Sequence, residues 1–184
     1  MRIISGKARG TKLYTLEGTH TRPTLDRVKE SLFNIIQNDL VDSTFLDLFS
    51  GSGAIGLEAA SRGAKKVILC DKHKPAINYI ARNIEKTHMK EKVKVYAMDF
   101  KEVLNNKITE RLDFIYIDPP YKTRFAYEAL KIILEKEYAD ENTKIIIETD
   151  EEEQFLKDIY NLNVQITDKR KYGRASIIFL RKEG

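Results

Sequence analysis

The sequence of 184 residues predicts an α/β fold with a seven-stranded, mostly parallel sheet whose last strand runs antiparallel. Three observations predict this fold. Short apolar runs alternate with helical patterns from residue 44 to residue 160, which is typical of successive βαβ units. A glycine-rich turn follows the first of these runs directly, over residues 50–56. Acidic residues close several of the runs, at the strand ends where open parallel sheets bind their ligands.

The chain opens with a basic extension that precedes the alternating pattern. Residues 2–5 and 12–15 are short strand candidates around a basic loop over residues 6–10, and this arrangement predicts a small hairpin. Thr24 is expected to cap an amphipathic helix that continues to Leu40. We therefore expect an extension over residues 1–40 and a main domain over residues 41–184.

The main domain continues as a regular series of strands and helices. Strands are predicted at 44–48, 66–70, 93–97, 112–117 and 143–148, and helices at 53–62, 74–87, 100–105, 125–137 and 151–160. Two final apolar runs, at 163–168 and 175–180, have no helical pattern between them. These last two runs are expected to form a hairpin.

The charge is distributed unevenly along the chain. The net charge is +4, but residues 1–29 carry seven basic and two acidic side chains, whereas residues 140–158 carry eight acidic and two basic ones. A molecule with basic ends suits a polyanion such as RNA or DNA on one side. We expect the extension to bind RNA through a set of polar and basic residues, which are Arg9, Lys12, Arg22, Thr24 and Arg27.

Several classes of protein are disfavoured by the composition. No apolar stretch approaches the roughly 18 residues that a membrane span requires, and the first residues lack the apolar core of a signal peptide, so we expect a cytoplasmic protein. The single Cys70 cannot form an internal disulfide and has no metal ligands at finger spacing. Neither a metal site nor a stable oligomer is expected.

The glycine-rich turn predicts a nucleotide-like ligand. Gly51, Gly53 and Gly56 match the spacing of a dinucleotide-binding turn, and Asp71 lies 20 residues after Gly51, where an acid that binds ribose is expected. Asp47, however, would lie beside the ligand, and at about 4 Å its charge would cost several kcal/mol against a pyrophosphate.

S-adenosylmethionine removes this conflict between Asp47 and the ligand. Its ammonium group can pair with Asp47, and its carboxylate can meet the amides near Ser52 at the start of a helix. Asp99 closes a further strand and could accept the adenine amine, while Met98 or Phe100 packs on the adenine ring.

The second chemical motif is Asp118-Pro119-Pro120-Tyr121, which follows the apolar run 114–117. Two prolines cannot continue a strand ladder, so carbonyl groups are left exposed beside the Asp118 carboxylate. A planar amine could donate hydrogen bonds to both groups. Tyr121 could stack on the ring that carries the amine, a contact worth roughly 1–3 kcal/mol per base.

These motifs resemble the class I S-adenosylmethionine-dependent methyltransferases that modify exocyclic amines, which have a Rossmann-like fold. The segments 2–13 and 21–34, together with 171–173, resemble the RsmD family in particular. Tyr121 stands where other members can carry Phe. The resemblance implies methylation of guanine N2 in 16S ribosomal RNA, free or in the assembling 30S subunit. It implies a cofactor site built from Asp47, Phe49, Gly51, Ser52, Gly53, Asp71, Met98, Asp99 and Phe100.

Three alternatives remain open from the sequence. A DNA adenine N6-methyltransferase would use the same residues 118–121, but this chain has little room for a separate target-recognition region. A nicotinamide dehydrogenase would place a pyrophosphate beside Asp47. A non-catalytic RNA-binding module of ribosome assembly would explain the basic ends, but not the four acids at strand ends.

Overall fold

The structure is a computed structural model that describes residues 1–16 and 23–184, without the side chains of residues 23–25. The helices are α1 (Pro23–Leu40), α2 (Ala54–Ser61), α3 (Lys74–Thr87), α4 (Phe100–Asn106), α5 (Phe125–Leu134) and α6 (Glu152–Ile159). The strands are β1 (Thr44–Asp47), β2 (Lys66–Cys70), β3 (Val93–Tyr96), β4 (Phe114–Ile117), β5 (Lys144–Thr149), β6 (Val164–Tyr172) and β7 (Ala175–Lys182). The alternation of strands and helices seen in the sequence is confirmed.

The seven strands form one sheet in the order β3-β2-β1-β4-β5-β7-β6. Strands β1 to β5 are parallel, whereas β7 runs antiparallel to both of its neighbours, β5 and β6. The predicted fold class and the final hairpin are therefore confirmed. Since β1 and β4 are adjacent and parallel, their carboxyl ends meet in the middle of one edge of the sheet, which we call the ligand edge.

The helices cover the sheet in two layers, because each central strand is apolar on both faces. One face packs on α1, α2 and α3, with Phe33, Phe45 and Phe114 stacked in its core. The other face packs on α4, α5 and α6. Side chains alternate along a strand, so Tyr116 belongs to the first core and Ile117 to the second.

The N-terminal segment, residues 1–16, differs from the hairpin expected there. Its two predicted strands are reduced to one antiparallel bridge between Arg2 and Lys12. The physical reason is that the amides of Ile4 and Ser5 donate to the buried carboxylate of Glu58, at 2.8 and 3.0 Å, and so cannot extend a ladder. The segment packs in the same core as the sheet. The division at residue 40 stays a prediction.

The start of α1 also differs from the expected cap. The helix begins at Pro23, a residue that suits the first helical position because it has no amide to satisfy, so Thr24 lies inside the helix. Arg22 lies outside the described residues. Within the described part of the chain, no helix is long and apolar enough to cross a membrane.

Candidate active site

A cavity of about 240 Å³ opens at the ligand edge, on the side of the sheet that α1 covers. Asp47 and Tyr116 are paired in the β1–β4 register, so both side chains point to this side. Residues 15 and 16 and helix α1 complete its walls. Of the sequence-predicted site residues, the cavity brings together Asp47, Phe49, Gly51, Ser52 and Asp118.

Asp47 is a buried acid with one hydrogen-bonded oxygen and one unpaired oxygen. Its Oδ2 accepts the amide hydrogen of Gly56 at 3.2 Å, and its Oδ1 has no hydrogen-bond partner among the described residues. Burial raises the pKa of Asp47 to about 7, and the nearby Asp71 contributes to this rise, whereas the Gly56 amide and weaker polar contacts with Ser50 and Phe49 oppose it. An unpaired buried oxygen is costly, so this site favours a ligand that supplies a donor or a positive charge.

The glycine-rich turn exposes its backbone to the cavity. Gly51 has φ +55° and open space where a side chain would lie, so its backbone can approach a ligand closely. Asp71 supports this turn, since its Oδ2 accepts the Gly51 amide hydrogen at 2.9 Å and its Oδ1 accepts that of His73 at 2.8 Å. Gly53 is the residue before α2, and it has φ +81°.

A buried asparagine ties the N-terminal segment to the same turn. The Asn83 side chain donates to the carbonyls of Tyr14 and Ser52, both at 2.9 Å, and accepts the amide hydrogen of Tyr14 at 2.8 Å. Residues 15 and 16, which follow Tyr14, line the cavity. The wall of the cavity is thus positioned by a contact with helix α3.

Asp118 lies directly after β4 and beside a second acid, Glu148. The hydroxyl of the buried Tyr116 is hydrogen-bonded to Glu148 Oε2. Asp118 is exposed to solvent as a residue. Lost hydration around its carboxyl group nevertheless raises its pKa well above the usual range, and the charges of Glu148, Asp47 and Asp150 raise it further. Loss of hydration also raises the pKa of Glu148.

The rest of the proline motif lies at the surface beside the cavity. Tyr121 is 78% exposed, and Pro120 accepts a hydrogen bond from the Thr123 hydroxyl at 2.8 Å. Pro119 is half-buried. Tyr121 is not among the residues that line the cavity, and its stacking on a substrate stays a prediction.

The residues expected to contact adenine lie outside the cavity lining. Asp99 caps α4 by accepting the Lys101 amide hydrogen at 3.0 Å, and it forms an ion pair with Lys72 at 3.6 Å. Phe100 is buried against Phe49, with ring centroids 5.1 Å apart. The Met98 carbonyl accepts from the Cys70 thiol. The adenine contacts stay a prediction.

The described residues expected to bind RNA are spread along the chain. Arg9, Lys12 and Arg27 are exposed. The amide of Ala8, next to Arg9, donates to Ser61 Oγ. Ser61 is the last residue of α2, at the end of the helix that lies away from the ligand edge. The side chain of Thr24 is not among those described.

Among the ionisable side chains that line the cavity, sequence reasoning missed three, which are Lys29, Tyr116 and Glu148. Lys29 is buried and pairs with Glu58 at 3.2 Å, and its burial lowers its pKa. Glu148 lies near the carboxyl end of β5, so the strand-end rule that singled out Asp47 and Asp118 could also have found it.

The strand order, the reversed hairpin and the glycine-rich turn after β1 define the Rossmann-like fold of class I methyltransferases. Comparison with known proteins agrees. The family model described as Conserved hypothetical protein 95 matches residues 1–181, and the chain belongs to this family, the RsmD family.

Its similarity to individual proteins extends over most or all of the chain. YlbH of Bacillus subtilis is 35% identical over 100% of both chains. Ribosomal RNA small subunit methyltransferase D of Haemophilus influenzae is 34% identical, over 85% of this chain and 82% of the relative. Among solved structures, yhhF from Escherichia coli has a TM-score of 0.83 and 26% identity, over 100% of this chain and 98% of that chain.

The fold and the family imply an S-adenosylmethionine cofactor, and the residues at the ligand edge fit it. The unpaired Oδ1 of Asp47 suits its ammonium group. The open space at Gly51 suits a ligand that lies against the backbone, and Asp71 is held at the same turn.

Proposed function

We propose that this chain is an S-adenosylmethionine-dependent methyltransferase that modifies the N2 amine of a guanine in 16S ribosomal RNA. The observation that carries the proposal is that Asp47 and Asp118 project from adjacent strands into one cavity. One acid suits the cofactor ammonium and the other suits an acceptor amine. Similarity to ribosomal RNA small subunit methyltransferase D supports ribosomal RNA, free or in an assembling subunit in the cytoplasm, as the substrate.

The residues of this chain would orient the amine and stabilise its charge. When bound, S-adenosylmethionine supplies an electrophilic methyl group. Guanine N2 is a weak nucleophile because its lone pair is delocalised into the ring. The Asp118 carboxylate and the Pro119 carbonyl would accept hydrogen bonds from its two N–H groups and direct the lone pair out of the plane of the base. The ionised form of Asp118 would then stabilise the positive charge that develops on the nitrogen, and this charge in turn favours ionisation of an acid whose pKa is raised in the free protein.

Substitution of Asp118 tests this assignment. We expect Asp118→Ala to lower turnover by roughly 100-fold or more, because it removes a charge that acts in the transition state. S-adenosylmethionine affinity should change little, since Asp47 and the glycine-rich turn remain. Glu137→Ala is a suitable control, because it removes an exposed carboxylate from the loop between α5 and β5, away from Asp118.

The measurement is transfer of labelled methyl groups into undermodified 16S ribosomal RNA and 30S particles, followed by nucleoside analysis. The expected product is N2-methylguanosine. Near-normal turnover by Asp118→Ala would exclude the proposed role of this residue. Methyl groups found only on adenine N6 would exclude guanine as the substrate.

A further inference from the structure

A second carboxylate lies beside the acid that holds the amine. Ile117 of β4 and Ile147 of β5 are paired in register and pack in the core under α4, α5 and α6. The residues that follow them, Asp118 and Glu148, therefore turn toward the opposite side of the sheet. Both residues line the cavity.

Glu148 is held in place, but no cation of the described residues forms an ion pair with it. The Tyr116 hydroxyl is hydrogen-bonded to its Oε2, and Tyr116 is 2% exposed. Among the described residues, Glu148 makes no ion pair within 4 Å. Asp118 is exposed and Glu148 is half-buried. Two adjacent carboxylates repel each other, so the arrangement favours a ligand that supplies several N–H donors side by side.

The Watson–Crick edge of guanine supplies such a row of donors. Its N1–H lies next to the two N–H bonds of the N2 amine. Adenine and cytosine also carry an exocyclic amine, but each presents an acceptor nitrogen beside it. If a carboxylate faced that nitrogen, two lone pairs would oppose each other. A site with polar groups left without hydrogen-bond partners binds such a base poorly, so adenine and cytosine would be disfavoured.

We propose that Glu148 determines specificity for guanine by accepting a hydrogen bond from its N1–H group, while Asp118 accepts a hydrogen bond from the N2 amine. This inference rests on the proposed function, because it assumes that guanine N2 is the acceptor. It assigns a separate task to each acid. Asp118 acts on the reacting nitrogen, whereas Glu148 reads the adjacent ring nitrogen.

The test compares two RNA oligonucleotides that differ at the methylated position. One carries guanine and the other carries 2-aminopurine, which keeps the 2-amine but has an acceptor at N1. The wild-type protein should prefer guanine by roughly 10- to 100-fold in kcat/KM, the range expected for one good base contact. In Glu148→Gln the side-chain amide can donate to N1, so this preference should shrink or reverse.

Further variants separate recognition from structural support. Glu148→Asp keeps a carboxylate and should keep a preference for guanine. If Glu148 only supports the cavity, Glu148→Gln will lower activity on both oligonucleotides by the same factor, and that result would overturn the inference. For variants with little turnover, including Glu148→Ala if Glu148→Gln does not fold, dissociation constants for both oligonucleotides measure the preference in binding.

The proposed function can fail separately from this inference. Wild-type protein that leaves guanine N2 unmethylated contradicts the proposed function. Wild-type protein that methylates guanine N2, combined with an unchanged preference in Glu148→Gln, contradicts only the role of Glu148.

Discussion

At the scale of single residues, Asp47 shows how burial prepares a site for a cation. One of its oxygens is hydrogen-bonded to the Gly56 amide and the other has no described partner. Burial raises its pKa to about 7, so the Asp47 carboxyl group is partly protonated near neutral pH when no ligand is bound. A cofactor ammonium would favour the ionised form, and binding would then release a proton below this pH.

We therefore expect S-adenosylmethionine affinity to increase with pH. Between pH 5.5 and pH 7 the ionised fraction of Asp47 rises, so the dissociation constant should fall about tenfold. Asp47→Asn should bind weakly and lose this dependence. Isothermal titration calorimetry across this range provides the measurement.

The control for Asp47→Asn is the same substitution at Asp42, in the loop between α1 and β1. Asp42 is exposed and has φ +62°, a backbone conformation that Asn tolerates well. Asp42→Asn should keep both the affinity and its dependence on pH. A wild-type dissociation constant that stays flat from pH 5.5 to pH 7 would contradict the role given to Asp47.

At the scale of elements, the N-terminal segment is held by one buried carboxylate rather than by a strand ladder. Glu58 of α2 is fully buried and accepts from the amides of Ile4 and Ser5 and from Arg62 Nε at 2.8 Å. Lys29 of α1 lies 3.2 Å away and is also buried. This cluster joins the segment, α1 and α2, and Lys29 belongs to the cavity wall.

Glu58→Gln should destabilise the protein by about 3–5 kcal/mol, because it leaves the buried Lys29 cation without its counter-ion. Urea unfolding followed by circular dichroism measures the change. Glu91→Gln is a suitable control, since Glu91 is exposed, and it should change the free energy of unfolding by less than about 0.5 kcal/mol. A loss of less than about 1 kcal/mol in Glu58→Gln would show that the cluster does not anchor these elements.

Elements of the main domain were predictable because their signals are local. Hydrophobic periodicity and strand length identified β1 to β5 and the helices between them, and the family resemblance implied a seven-stranded sheet with a reversed last hairpin. The order of the strands was not predicted. The N-terminal segment was not predictable in this way, because Glu58 lies 54 residues from Ile4. The strand-end rule could have identified Glu148, but not its neighbour across the strands. Its position beside Asp118 depends on the register of β4 with β5.

At the scale of the whole molecule, the ligand edge carries cations near an acidic cavity. Thr149 at the end of β5 pairs with Ser176 near the start of β7, so the turn between β6 and β7 lies at this edge. Lys171 near the end of β6 and Arg174 in the turn are both exposed. Acids in the cavity can accept hydrogen bonds from the N–H groups of a nucleobase, whereas cations around the cavity can contact the phosphates on either side of that base.

RNA binding should therefore depend on salt through the turn between β6 and β7. Replacing Lys171 and Arg174 with Ala should weaken binding of 16S ribosomal RNA at every salt concentration. Each lost phosphate contact lowers the slope of log affinity against log salt by about 0.7–0.9, so the double variant should lose about 1.4 to 1.8. Fluorescence anisotropy over a salt series measures both quantities, and S-adenosylmethionine affinity should not change.

The matched control removes two cations from the opposite edge of the sheet. Lys90 lies between α3 and β3, and Lys107 follows α4, so both lie near the starts of parallel strands and both are exposed. The Lys90→Ala, Lys107→Ala variant has the same net charge as the first double variant, so it corrects for the long-range field. Equal losses in slope would assign RNA attraction to net charge alone. A larger loss in the β6–β7 variant would place phosphate contacts beside Asp118 and Glu148, where a target base has to enter.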